Sequence, residues 1–176
     1  MIENNWITLV KPNKVDYKIS DNKKFGTVVI EPLEKGFGTT LGNALRRVLL
    51  SSLQGTAISS IKINGVLHEF STIEGVREDV TDIIMNLKNV TFNSKSNHSQ
   101  KLSLNVKGPK EVKAKDITLV PEVEILNPEQ TICNLDEKTN FHMELMVSTG
   151  KGYVQAPKNK TEDLSLIHIS EPTRQP

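Results

Sequence analysis

The sequence predicts an α+β fold in which a strand-and-helix segment precedes a β-rich domain carrying one main helix. Three observations predict it. Apolar residues recur at helical spacing twice, over residues 41–53 and 77–89. Short stretches around them alternate with the period of two that marks strands. Pro109, Pro121 and Pro128 then divide the second half into pieces too short for helices.

Taken in order, the chain opens polar and is punctuated by Pro12, with an alternating strand candidate at 15–19. A better strand, 27–30, ends at Pro32, which cannot donate to a ladder. Gly36 and Gly38 then form a tight turn, and Thr39 or Thr40 is placed to cap a helix starting near Thr40. On that helix Leu41, Ala44, Leu45, Val48 and Leu49 form one apolar stripe, the core-facing side, with Gly55 as a cap beyond the end. Asn43, Arg46, Arg47, Leu50 and Leu53 lie on its flank. There two adjacent guanidiniums sit among leucines, a mixture that suggests a partner.

The period changes at Ala57. Residues 57–63, the turn Asn64-Gly65 and residues 66–71 read as a β-hairpin. Residues 77–89 return to helical spacing, with Val80, Ile83, Ile84 and Leu87 on one face, Glu78, Asp79 and Asp82 near the positive end of the dipole, and Lys88 at the other. A second hairpin is expected from 90–92 to 101–106, where Leu102, Leu104 and Val106 share a face. Further strands follow at 111–114, 123–126, 131–135 and 141–147, the last burying Phe141, Met143, Leu145 and Val147.

Composition narrows the function. At 176 residues the chain holds one ordinary domain or two small ones, and its net charge of +1 gives no field to draw it onto DNA or an anionic membrane. Cys133 is the single cysteine, which excludes an internal disulfide framework and a cysteine-based zinc site and fits a reducing compartment. No apolar run is long enough to span a bilayer, and the first residues lack a signal-peptide pattern. A cytoplasmic chain is expected.

Several chemistries were open and each has a plainer competitor. Gly36-Phe37-Gly38 before a helix invites a phosphate-binding reading, but Gly42 comes one residue late for the dinucleotide pattern, so a turn that launches a helix is preferred. Gly150-Lys151-Gly152-Tyr153 also reads as a turn. His68, His98, His142 and His168 are scattered, so no metal is expected. Helix stabilisation explains Glu78, Asp79 and Asp82 more simply than acid–base work. Cys133 reads as a packed thiol, and basic-aromatic interleaving for direct nucleic-acid binding is absent. For Arg46 and Arg47 a solvated pair and an interface pair stand level on residue type alone.

With those residues in hand, the chain resembles the amino-terminal region of the α subunit of bacterial or plastid DNA-directed RNA polymerase. The likeness rests on Glu31-Pro32-Leu33-Glu34-Lys35-Gly36-Phe37-Gly38, on the run from Thr40 through Arg46-Arg47 to Ser52, on Asn64 to Thr72, and on Glu74-Gly75-Val76 leading to Glu78-Asp79. Asn86-Leu87-Lys88, Ala114 to Thr118 and Gly150 to Val154 extend it, so it spans roughly residues 5–157 in order. It implies a non-catalytic assembly subunit of a nucleotidyltransferase, with no cofactor and no membrane or direct nucleic-acid contact. One domain pairs with a second α subunit, and a β-rich domain is inserted into it. The dimer then receives the large β and β′ subunits. The resemblance puts Leu41, Ala44, Leu45, Val48 and Leu49 in the core of the dimerisation domain. It places Arg47, with Arg46 beside it, against β, and makes Leu50 and Lys88 weaker candidates for large-subunit contacts. It implies a bacterial cytoplasm or a plastid stroma.

On this reading residues 1–54 are the first segment of the dimerisation domain, 55–160 are the inserted domain, and 161–176 depart from the family as a disordered or foreign tail. The returning second segment of the dimerisation domain is expected to be missing, which leaves the helical stripe uncovered. Two other readings are a small-molecule-binding α/β protein that uses the glycine turn and a free-standing mimic of the subunit.

Overall fold

The computed structural model describes residues 7–22, 25–137, 139–159, 167–169 and 171–172. The chain divides into two compact units, Met1–Leu49 and Leu50–Pro176.

In the first unit, β1 (Lys14–Ile19) and β2 (Gly26–Glu31) form an antiparallel hairpin with Lys14 opposite Glu31 and Ile19 opposite Gly26. The Ser20 amide donates to the Phe25 carbonyl at 2.9 Å, and the Ser20 hydroxyl accepts from the Phe25 amide at 3.1 Å, which ties the turn. The helix α1 (Phe37–Ser52) starts three residues before the expected Thr40. Gly36 causes this: at φ +89° it reverses the chain where a side chain would be strained, and the Phe37 amide then reaches the Glu34 carbonyl at 3.0 Å. Thr40 is therefore no cap; its hydroxyl donates back to the Gly36 carbonyl within the first turn. Gly55 is no cap either, because β3 (Gln54–Ile63) begins two residues after α1 ends and Gly55 is buried in it, opposite Gly150.

The second unit is built on β3 and β10 (Asn140–Lys151). They pair antiparallel from Met143 opposite Ile63 to Lys151 opposite Gln54, with a bulge between Met146 and Val147. The other edge of β10 takes β5 (Gln100–Lys107), and β5 takes β7 (Ile117–Thr118). Beyond β3 lie β4 (Phe92–Ser94) and β8 (Val123–Ile125), giving the order β7-β5-β10-β3-β4-β8 in one curled sheet. Leu102 and Leu104 of β5, and Phe141, Met143, Leu145 and Val147 of β10, are buried as their alternation requires. A smaller pair, β6 (Lys110–Lys113) with β9 (Thr131–Leu135), packs beside α2 (Val80–Leu87), which buries Val80, Ile83 and Leu87.

Neither expected hairpin forms. Asn64-Gly65 does turn the chain, but 66–71 is not a strand: Val66 is buried while Leu67 and Phe70 are 88% and 81% exposed, so it has no continuous apolar face to pair. The twelve-residue β10, with four buried apolar side chains, takes the edge of β3 instead. Likewise β4 pairs with β3 and β8 rather than with β5. The helix at 77–89 is shorter than expected because Asp79, with extended backbone, caps it.

Of residues 161–176, expected to be a disordered or foreign tail, only 167–169 and 171–172 lie among the described residues. The pair Ile167–His168 forms β12 (Ile167–His168) on the outer edge of β3, and Ile167 and Ile169 are buried. Alternating isoleucines supply the reason, since they present two apolar side chains to one face of a sheet. β13 (Glu171–Pro172) pairs with β11 (Tyr153–Val154).

Candidate subunit interface

Helix α1 carries a full apolar stripe and buries none of it. Leu41, Leu45, Val48 and Leu49 are 38 to 55% exposed, and no residue of the helix is buried, so Leu41, Ala44, Leu45, Val48 and Leu49 line no core among the described residues. This departs from the core-facing side that periodicity predicts. The rest of the unit shares the property: Val15, Tyr17, Ile19, Val28 and Val29 of the hairpin are exposed, and no described residue before Gly55 is buried. Two exposed guanidiniums, Arg46 and Arg47, lie on the flank of the stripe, and Leu50, 65% exposed, follows Arg47 by one turn of the same helix. Leu53 lies beyond the end of α1.

The fourth candidate, Lys88, belongs to the second unit. It is the C-cap of α2, half-buried, with its amide on the Ile84 carbonyl at 3.0 Å. The N-cap at the opposite end is Asp79, whose carboxylate accepts from the Asp82 amide at 2.7 Å. Glu78 was assigned to the helix dipole by the sequence, and the structure gives it another task. Its two carboxylate oxygens accept from the amide and the side-chain nitrogen of Asn134, both at 2.7 Å, and so pin the start of α2 to β9. A cleft of about 250 Å³ runs along α2, lined by Phe70, Thr81, Met85, Lys88 and His168 among others.

Burial first, and the nearby Glu78 carboxylate second, push the Cys133 thiol up to about 12, so it stays protonated at neutral pH and packs as an inert side chain. Among the described residues no three His, Cys, Asp or Glu side chains gather where a metal would bind. His68 shares a hydrogen bond with Ser71, and His142 with Asn105, each as a local polar contact. The chain near β6 carries an ion-pair network, in which the Lys115 and Lys113 ammoniums hold the Glu129 carboxyl below its usual range. Glu129 and Lys115 are largely exposed, so solvent screens these pairs and each contributes little. Gly36 serves the turn described above, Gly38 has open space about its Cα, and Gly152 joins β10 to β11. No described helix is long and apolar enough to cross a membrane.

The curled antiparallel sheet with α2 beside it is an RNA polymerase subunit domain: the profile of the RNA polymerase Rpb3/RpoA insert domain matches residues 61–170, from the last residues of β3 to just past β12. The chain belongs to that family, consistent with the amino-terminal region of the bacterial RNA polymerase α subunit.

Sequence reasoning missed the Glu78–Asn134 clamp because its partners stand 56 residues apart. It missed β12 because a two-residue strand carries no periodicity. The Ile167-His168-Ile169 alternation was the one available signal.

Proposed function

We propose that this chain acts as the amino-terminal part of an RNA polymerase α subunit, a non-catalytic scaffold on which the enzyme is assembled. Residues 1–54 form the first segment of its dimerisation domain, and 55–160 form the inserted β-rich domain. The stripe Leu41, Ala44, Leu45, Val48 and Leu49 belongs to the core of that dimerisation domain, which pairs with a second α subunit. Arg46 and Arg47 contact the β subunit, while Leu50 and Lys88 add contacts to β or β′. Transcription, in a bacterial cytoplasm or a plastid stroma, is the process served.

One observation carries this reading: a sixteen-residue amphipathic helix with no buried residue. Exposed apolar surface of that extent marks an interaction site. Each such side chain that a partner covers contributes on the order of 1.5–3 kcal/mol before the cost of association. Arginine suits the edge of such a contact, because its planar fork meets carboxylates in pairs while its stem covers apolar surface.

The test is co-purification with the β subunit. Arg47→Ala should abolish recovery of β, whereas Lys107→Ala, on an exposed position of β5, should leave it intact. Equal recovery with both variants would overturn the assignment of Arg47.

A further inference from the structure

The two edges of β3 are used unequally. One is paired with β10 over the whole strand, whereas the outer edge meets β4 only at Thr56 and β12 only at Ser60 and Ile61. What seats β12 there is simple. Ile167 stands opposite Ile61, His168 opposite Ser60, and the Ile169 amide donates to the Ser59 carbonyl at 2.9 Å. The two isoleucines are 5% and 2% exposed, and the acceptor residues Ile61 and Ser60 are equally enclosed. The side chain between them adds no matching contact, since His168 Nδ1 is buried without a hydrogen-bond partner among the described residues.

Backbone bonds and two apolar sockets therefore define the seat, and these are the requirements of strand addition at a sheet edge. Such a seat reads a pattern, apolar at two positions separated by one residue, rather than a sequence. We propose that the outer edge of β3 over Ser59 to Ile61 is a strand-acceptor site for an extended peptide with β-branched apolar residues at alternate positions, held in this chain by Ile167 to Ile169. A ladder of two paired residues is short enough to be exchanged. Because the central histidine nitrogen is buried with no partner among the described residues, an apolar residue in its place improves the fit.

The experiment uses the full chain with Ile167→Asp and Ile169→Asp, which expels its own strand by placing carboxylates at buried positions, and a fluorescent peptide copying residues 164–171. Anisotropy should show the peptide binding this chain at least tenfold more tightly than the unaltered chain, where the seat is filled. A peptide with His168→Val should bind several-fold tighter still, and one carrying both aspartates should not bind. The milder chain Ile169→Ser guards against misfolding of the double variant and should bind with intermediate strength. Failure of both variant chains to bind, or equal binding by the unaltered chain, would overturn the proposal.

Discussion

Gly75 shows how narrowly one residue can be specified. It sits at φ +76°, and its carbonyl accepts from the Asp136 amide at 2.9 Å and from the Thr139 hydroxyl at 3.1 Å. A Cβ there would collide with the Thr139 hydroxyl oxygen, so a side chain would break the bonds that hold Asp136 and Thr139 against the approach to α2. Gly75→Ala should destabilise the second unit by about 1–3 kcal/mol in urea unfolding. A loss below about 0.5 kcal/mol, the range of an ordinary surface change, would contradict this account. Glu78, three residues on, is a different case. Its charge was plain in the sequence, but its use depends on Asn134, which only the folded chain brings near.

Among elements, α2 is the most self-contained. Asp79 caps it, Asp82 lies in its first turn, and Val80, Ile83 and Leu87 fix its orientation on the core. Asp79→Ala should cost about 1 kcal/mol by freeing the Asp82 amide; if urea unfolding shows it to be neutral, the cap is not what stops the helix there. This helix was legible because spacing, acidic start and cap all agree locally. The strands β5, β9 and β10 were legible for the same reason, each alternating between prolines or turns that bound it. Their partners were not. Pairing depends on which strand offers the longest matching apolar face, and β10 wins β3 from the nearer residues 66–71 although a turn of hairpin type stands at Asn64-Gly65. The candidate interface was half legible. The stripe and the arginine pair on α1 were visible in the helical period, yet period alone cannot distinguish a face turned to its own core from one turned to another molecule.

At the scale of the molecule, the two units differ in what holds them. The second has a buried core from Ile58 to Ile169, whereas the described part of the first has no buried residue. Backbone amides of β3 and β10 should therefore exchange slowest with deuterium, and those of α1 and the β1–β2 hairpin much faster in dilute protein. Protection of α1 should rise with protein concentration while that of β3 stays fixed, if a second copy covers the stripe. Slowest exchange in α1 at low concentration would refute this ranking. The sheet also carries a consequence for synthesis on the ribosome. Ser59 of β3 is bonded to Met146 of β10, 87 residues later. At roughly 5–20 residues per second, β3 leaves the ribosome about 4–17 s before its central neighbour. Through that interval the nascent chain holds an isoleucine-rich strand with an unpaired edge, so the second unit closes as one late event rather than strand by strand.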